Sequence, residues 1–243
     1  MKMRALGALL AAGLEAMAGC GTLEIGHSHA ADPSPASSTA PSAVPERATS
    51  PTDVSAFEAM VYMDKDGHQF PYRLLRPQNY DPSVKYPLVL VRHGSGGEGT
   101  DNVRQMGGVE RLLGRPDLRT RFPCFSVVPQ CPLGMNWSGR RRAARTDSAP
   151  ASQPAFEPLA LVADILARTR ADNTIDADRV YVLGVSMGGA GTWSMLARHP
   201  DLFAAGVPIC GTGDPATAKA IAGAQVPLWV WHGQIDNTVP VER

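Results

Sequence analysis

A short stretch in the second half of the chain sets a serine between glycines at the spacing that a sharp turn requires. It reads Gly184-Val185-Ser186-Met187-Gly188. In a nucleophile elbow, such a serine occupies a strained turn between a strand and a helix, and the flanking glycines prevent collisions between these elements. The pattern therefore predicts Ser186 as a nucleophile and the Met187 N–H as an oxyanion donor. The alternative is a glycine-rich turn whose serine only caps the helix.

The segments around this motif alternate between strand and helix patterns. An apolar run at 180–183 precedes it, and residues 189–198 follow as a predicted helix that ends at His199-Pro200. A second predicted helix carries an apolar stripe from Phe156 to Leu166 and ends near Asn173. Further predicted strands lie at 57–63, 68–75, 87–91, 125–128, 205–209 and 226–231. This alternation predicts an α/β fold, a mostly parallel sheet with helices on both faces.

Polar residues directly after the predicted strands are candidates for a site, because ligands of such sheets bind beyond the carboxyl ends of the strands. The segment His93-Gly94-Ser95-Gly96-Gly97 follows strand 87–91 and offers backbone N–H groups, with Ser95 or Gly96 as the second oxyanion donor. Gln130 follows strand 125–128, and Trp137 lies a few residues further on. Both are predicted to contact substrate, and the alternative for Trp137 is an ordinary aromatic residue at the rim.

The candidate acid is Asp236, which closes the segment His232-Gly233-Gln234-Ile235-Asp236 after strand 226–231. Such a carboxylate orients the base that activates a serine. Asp214, after strand 205–209, is the alternative acid. No cysteine spacing resembles a zinc site, and neither a metal nor another cofactor is expected. Cys124, Cys131 and Cys210 are predicted to be small buried groups rather than disulfide partners.

Several segments together resemble the α/β-hydrolases, and specifically bacterial exported esterases of the phospholipase/carboxylesterase-like, dienelactone-hydrolase-like, polyhydroxybutyrate-depolymerase-like or "predicted peptidase" types. The segments lie at 86–94, 184–189, 199–205 and 232–240. The resemblance implies the α/β-hydrolase fold and a serine hydrolase that acts on carboxylic esters through an acyl-enzyme, with Ser186 as nucleophile and Asp236 as acid. Arg92 departs from the family pattern, which has an apolar residue at that position.

The base of this mechanism is missing from the sequence pattern. The superfamily order is nucleophile, acid, histidine, and no histidine follows Asp236. None of the histidines present is a good candidate, since each lies in the tail, the opening hairpin, a turn or a helix end: His27, His29, His68, His93, His199 and His232. The resemblance therefore predicts an inactive fragment whose last strand, helix and catalytic histidine lie beyond Arg243. Residues 239–243 are interpreted as the first turn of that helix.

The N-terminal residues 1–20 have the features of an export signal. Lys2 and Arg4 precede an apolar run at 5–14, and Met17-Ala18-Gly19-Cys20 resembles the lipobox of bacterial lipoproteins. The resemblance implies a lipid anchor at Cys20, which holds the protein in the bacterial cell envelope. Secretion without an anchor and a disordered cytoplasmic leader are the alternatives. Residues 21–53 are predicted to form a disordered Ala/Ser/Pro tether, and residues 54–243 a single domain.

The charge balance restricts the partners. The chain has 23 basic and 23 acidic residues, so nothing points to nucleic acid or an anionic surface. The expected partner is a small-molecule or polymer ester. A serine peptidase or amidase of the same fold and a non-catalytic, surface-anchored binding protein are the alternative functions.

Overall fold

The computed structural model describes residues 54–138 and 157–241. The predicted export signal with Cys20 and the predicted tether lie outside these residues. Within these ranges, six strands form one sheet in the order β1-β2-β4-β3-β5-β6. Their bounds are β1 (Phe57–Met63), β2 (Gln69–Leu75), β3 (Tyr86–Arg92), β4 (Phe125–Pro129), β5 (Ile175–Val185) and β6 (Ala205–Ile209).

The sheet is mostly parallel, as predicted. β1 pairs antiparallel with β2, and β2 pairs antiparallel with β4. The remaining neighbours, β4 with β3, β3 with β5 and β5 with β6, are parallel. β3 lies inside the sheet and six of its seven residues are buried, whereas β1 at the edge buries only Phe57. This difference accounts for the continuous apolar run of β3, since both of its faces are covered.

Four α-helices accompany the sheet in the described ranges: α1 (Pro116–Arg121), α2 (Pro158–Asp172), α3 (Met187–Arg198) and α4 (Ala218–Gly223). Short 3-10 helices lie at Arg104–Met106, Val109–Gly114, Pro200–Leu202 and Pro215–Thr217. α2 and α3 confirm the two helices predicted from the apolar stripe and from the segment after the elbow. Within those ranges, no helix has the length and apolar character needed to cross a bilayer.

Two apolar layers cover the sheet. On one face, Leu88 and Leu90 of β3 belong to a core cluster with α2 and α3. On the other face, Val89 and Val91 belong to a cluster with Met106, Val109 and Leu113 of the 3-10 helices. In the described residues, the second face is therefore covered by short 3-10 helices rather than by long α-helices.

The strand predicted at 226–231 is only partly formed. Leu228 and Trp231 make isolated parallel bridges to Gly206 and Ile209 of β6. Pro208 stands inside β6, and proline has no N–H for a ladder hydrogen bond, so a regular pairing is interrupted there. The helical turn interpreted at 239–243 lies partly outside the described residues and stays a prediction; within them, residue 239 is a bend and residue 241 a turn.

Candidate active site

Ser186 occupies the turn between β5 and α3 and has a strained backbone. Its φ is 55° and its ψ is −116°, a combination that residues with a Cβ rarely adopt. A Cβ at Gly188 would overlap the Arg92 carbonyl and lie 2.8 Å from His93 O. A Cβ at Gly184 would lie 2.5 Å from the Gly188 carbonyl carbon. The two glycines therefore allow the close contact of elbow and β3 that the motif predicts.

The loop after β3, residues 93–102, lies beside the elbow and is called the His-Gly loop below. A Cβ on Gly94 would lie 3.5 Å from the Ser186 Cβ, so the two segments are in contact. Met187 is the first residue of α3, and the N–H of a first helical residue has no acceptor within its helix. The Met187 N–H is thus available beside Ser186.

Several backbone groups of the His-Gly loop are already hydrogen-bonded. The Gly96 N–H donates to Glu98 Oε2 at 2.6 Å, and the Gly99 N–H donates to Cys131 O at 2.9 Å. The prediction of Gly96 as an oxyanion donor is therefore corrected, because the buried Glu98 carboxylate occupies its N–H. The Ser95 N–H has no acceptor among the described residues, which leaves Ser95 as the candidate second donor. The acid two residues after Gly96 was the signal that sequence reasoning missed.

Asp236 is held as a carboxylate at the end of the last bridged segment. Its Oδ1 accepts the N–H groups of Val239 and Thr238, both at 2.9 Å. The Val239 hydrogen bond first, and then the Thr238 hydrogen bond, lowers the pKa of Asp236. β6 links this segment to the elbow: the Ser186 N–H donates to Ile209 O at 2.9 Å, and the Cys210 N–H donates to Trp231 O at 2.7 Å. Asp236 follows Trp231 and therefore comes from the same edge of the sheet as Ser186.

The rival acid, Asp214, has a different local role. Its Oδ1 accepts the Ala216 N–H at 2.9 Å and caps the 3-10 helix that begins at Pro215. Its side chain is exposed. This cap fixes the Asp214 side chain, and its role as the alternative acid stays a prediction.

His93 is buried, and its ring nitrogens are both engaged. Nδ1–H donates to Gly94 O at 2.7 Å, and Nε2 accepts the Cys131 N–H at 3.0 Å. Burial is the largest influence on this ring and lowers the pKa of His93. The ring therefore stays neutral and supports the His-Gly loop, and it has no nitrogen left to accept a proton from Ser186.

The other described histidines also have partners. His232 Nε2 donates to Val239 O at 2.7 Å and lies 3.7 Å from Asp236 Oδ2. His68 pairs with Asp64 in the β1–β2 hairpin at 2.8 Å, and His199 is the C-terminal cap of α3. None of the histidine rings in the described ranges hydrogen-bonds to Ser186.

Comparison with known proteins places this geometry in a recognised fold. A family model described as alpha/beta hydrolase fold matches residues 132–240. A thermostable esterase of known crystal structure is similar, with 37% identity and a TM-score of 0.67, over 78% of this chain and 49% of that one. The chain has the α/β-hydrolase fold. It spans about half the length of the thermostable esterase that it matches.

More distant α/β-hydrolase structures share the fold alone. LpqC, a poly(3-hydroxybutyrate) depolymerase from Bordetella parapertussis, has 20% identity and a TM-score of 0.52, over 76% of this chain and 69% of its own. A feruloyl esterase module from Clostridium thermocellum has 16% identity and a TM-score of 0.50, over 73% and 66%. Among curated proteins, no sequence matches this chain.

Gln130 faces the His-Gly loop. The side chain is fully buried. Its Nε2 donates to Gly97 O at 3.1 Å and to Asp101 Oδ1 at 2.8 Å, and its Oε1 accepts the Asn102 N–H at 2.7 Å. The prediction of a substrate contact is corrected, because these bonds use the amide of Gln130.

Trp137 is also buried, with 1% of its surface exposed. Its ring lies against His93, with centroids 5.0 Å apart, and its Nε1–H donates to His93 O at 3.1 Å. The interpretation of Trp137 as a rim aromatic is wrong, because the ring is buried. The side chain also lines a cavity beside α3, so its contact with substrate stays a prediction. The side chain supports the start of the His-Gly loop.

Arg92, the departure from the family pattern, is fully buried under Trp137. Its guanidinium lies 5.9 Å from the Trp137 ring centre. None of its three nitrogens has a hydrogen-bond partner among the described residues. Burial lowers the pKa of Arg92 to about 9. A cation without hydrogen-bond acceptors is costly in the interior, and the aromatic face compensates only part of that cost.

Two cavities flank the elbow. One, of about 370 Å³, lies between the His-Gly loop and the first two 3-10 helices and reaches Val185. The other, of about 470 Å³, runs along α3 from Met187 to Arg198. Each cavity is lined by a chain neighbour of Ser186, Val185 in the first and Met187 in the second, and Trp137 also lines the second.

The cysteines in the described residues are free. Cys124 and Cys131 are buried, as predicted, and burial raises the pKa of each thiol to about 12. Cys210 is only partly buried, which corrects its prediction as a buried group. These thiols have no disulfide partners among the residues that the structure describes.

One group of metal-ligand side chains lies in the β1–β2 hairpin, outside the site. The ligand atoms of Asp64, Asp66 and His68 lie within 4.8 Å of one another. Asp64 Oδ1 accepts the N–H groups of Asp66 and His68, and Asp66 pairs with Lys65. The hairpin turn itself accounts for this arrangement.

Proposed function

We propose that this α/β-hydrolase is a serine hydrolase that cleaves carboxylic esters through an acyl-enzyme. The observation that carries the proposal is the strained Ser186, with a φ of 55°, in contact with a loop that offers the Ser95 N–H. The Met187 N–H provides a second donor next to it. The similarity to a thermostable esterase at 37% identity supports ester substrates.

In the proposed mechanism, Ser186 Oγ attacks the ester carbonyl carbon while a base takes the hydroxyl proton. The carbonyl π electrons move to oxygen, and the Met187 and Ser95 N–H groups bind the resulting oxyanion. Collapse of this intermediate breaks the ester C–O bond, and the alcohol leaves with the proton from the base. Water then attacks the acyl-enzyme in the same way and releases the acid.

The base in this scheme is a histidine that Asp236 orients, the role that the family resemblance implies. The backbone hydrogen bonds to Asp236 Oδ1 support its part, because they keep the carboxylate ionised. An ionised carboxylate stabilises the imidazolium that forms when the base accepts the serine proton.

The test is hydrolysis of short p-nitrophenyl esters by the full-length protein and by Ser186→Ala. Removal of a triad nucleophile lowers kcat by about 10⁶, and we expect a loss of that scale with an unchanged circular dichroism spectrum. Ser83→Ala is the matched control, since Ser83 is an exposed loop serine that bonds only to Asp81. Undiminished turnover by a folded Ser186→Ala variant rejects the nucleophile.

We also propose that the protein is exported and anchored through a lipid on Cys20. The support is the sequence Met17-Ala18-Gly19-Cys20 after a short apolar run. A single lipid chain binds membranes only reversibly, so stable anchoring requires more than one chain. Mass spectrometry of the exported protein tests the proposal: a diacylated Cys20 at the N-terminus supports it, and a free N-terminus at another residue overturns it.

A further inference from the structure

We propose that Gln130 is a positioning residue for the oxyanion donors of this enzyme. The inference rests on the proposed function, since it concerns the loop that supplies the Ser95 N–H. Gln130 stands directly after β4 and is fully buried, at 0% exposure. It therefore contacts no substrate, and its effect on the reaction passes through the His-Gly loop.

The side-chain amide of Gln130 joins three points of that loop. Nε2 donates to Gly97 O at 3.1 Å and to Asp101 Oδ1 at 2.8 Å. Oε1 accepts the Asn102 N–H at 2.7 Å. Both amide hydrogens and the amide oxygen are thus engaged. A single side chain from the sheet therefore holds the loop at its middle and at its far end.

The far end of the loop is fixed by the two partners of Gln130. Asn102 Nδ2 donates to Met60 O at 3.0 Å and to Tyr72 O at 3.1 Å, which ties it to β1 and β2. Asp101 Oδ1 also accepts the N–H groups of Val103 and Arg104. The Arg104 N–H first, and then the Gln130 amide, lowers the pKa of Asp101 to about 2. Gln130 consequently donates to an ionised carboxylate, a stronger bond than one between neutral groups.

Near the elbow, the same loop carries the candidate donor. Gly97 lies two residues after Ser95, and its carbonyl is held by Gln130. Glu98 holds the intervening Gly96 N–H. The peptide that carries the Ser95 N–H is Gly94–Ser95, and its carbonyl, Gly94 O, accepts His93 Nδ1–H at 2.7 Å and the Gly97 N–H at 3.4 Å. Gln130 therefore acts on this peptide through Gly97, which donates to Gly94 O and whose own carbonyl Gln130 holds. Oxyanion donors act only if they lie within a few tenths of an ångström of the position that the developing charge takes up.

The perturbation that isolates this role is Gln130→Glu. The two side chains have nearly the same shape, so packing is retained, but the donor to Gly97 O and Asp101 becomes a carboxylate oxygen. The introduced carboxyl is repelled by Asp101 and, when protonated, regains one donor. We expect kcat to fall about 10–100-fold with KM within about threefold, because oxyanion donors stabilise the transition state and not the bound ester.

The pH dependence separates positioning from a general loss of stability. The ratio of kcat in Gln130→Glu to kcat in the wild type should rise as the pH falls from 8 to 5, because protonation restores a donor. Leu166→Ala is the control, since Leu166 is a fully buried core residue of α2 that does not touch the loop. It should lower the melting temperature and leave kcat of the folded enzyme unchanged at every pH.

Amide hydrogen exchange gives a readout that does not depend on activity. In Gln130→Glu, the amides of residues 95–99 should exchange at least about tenfold faster than in the wild type, while α2 amides keep their rates. If Gln130→Glu fails to fold, Asp101→Ala is the second variant, because it removes one of the two acceptors of the Gln130 side-chain NH₂ group. This variant should lower kcat by about 3–10-fold and should speed exchange at residues 95–99 less than Gln130→Glu.

The proposal is overturned if Gln130→Glu shows wild-type exchange at residues 95–99 and wild-type kcat. It is also overturned if kcat falls but the ratio of the kcat values of variant and wild type does not depend on pH. Failure of the proposed function has a different signature. If Ser186→Ala keeps full ester hydrolysis, Ser186 is not the nucleophile, and the exchange experiment still decides whether Gln130 holds the loop. If Ser186→Ala is inactive and Gln130→Glu retains wild-type kcat and exchange, only the positioning role fails.

Discussion

Replacing Ser186 by glycine should stabilise the fold while it removes the nucleophile. Ser186 is held at φ 55° and ψ −116°, and a residue with a Cβ in a sparsely populated region costs about 1–3 kcal/mol. Glycine relieves this strain but loses about 0.5–1 kcal/mol more backbone entropy on folding than alanine. The Ser186 side chain makes no capping hydrogen bond to α3, so its removal leaves no partner in the cap unpaired. The balance is a gain of about 1 kcal/mol.

Ser186→Ala is the matched comparison, because alanine retains the Cβ and hence the strain. For a domain of this size, 1 kcal/mol corresponds to a shift of about 2–4 °C in Tm. Differential scanning calorimetry should therefore show Ser186→Gly melting about 2–4 °C above Ser186→Ala, with both variants inactive. A glycine variant that melts at or below the alanine variant would refute the claim that the elbow stores backbone strain.

Three further perturbations test individual contacts. Gly188→Ala should lower the free energy of unfolding by about 3 kcal/mol or prevent folding, because the added Cβ meets the Arg92 backbone. Gly223→Ala is the control and should leave the free energy of unfolding unchanged, because its Cβ would have open space around it. Urea titration measures both variants. Arg92→Met should raise the free energy of unfolding at pH 7 by about 1–3 kcal/mol. This difference from the wild type should shrink above pH 9, where the folded wild type loses the Arg92 proton. A lower stability of Arg92→Met would contradict the claim that Arg92 is a buried cation without hydrogen-bond partners. The pKa of Asp101 is lowered from 3.8 to about 2 on folding. The contribution of Asp101 to the free energy of unfolding is therefore present above about pH 4 and lost as the pH falls towards 2. Asp101→Asn should remove this part of the acid unfolding curve, and identical curves for the variant and the wild type would contradict the prediction.

The elbow could be predicted from the sequence because its physics is local. Gly184 and Gly188 are needed where strand and helix touch, and both fall within two residues of Ser186. The alternation of strands and helices was equally accessible, since buried parallel strands and amphipathic helices have different apolar periods. These local signals led to the correct fold class and to the contact between the elbow and residues 93–97.

The hydrogen-bond partners in the site could not be predicted, because they depend on contacts between residues distant in sequence. Gln130 follows a strand at the catalytic edge, as a substrate ligand would, yet its partners lie 29 and 33 residues away in the His-Gly loop. The occupation of the Gly96 N–H by Glu98 depends on the fold of one turn. The strand at 226–231 has the right composition, but Pro208 on its neighbour interrupts the pairing.

The most direct measurement for the central claim is peptide mapping after reaction with a fluorophosphonate. Such a probe bonds covalently to a serine whose hydroxyl is activated and whose developing charge is bound by donors. The full-length protein should carry one adduct, on the peptide that contains Ser186, and Ser186→Ala should carry none. An adduct on another serine, or a folded full-length protein that remains unlabelled, would contradict the assignment of Ser186 as the nucleophile of a serine hydrolase.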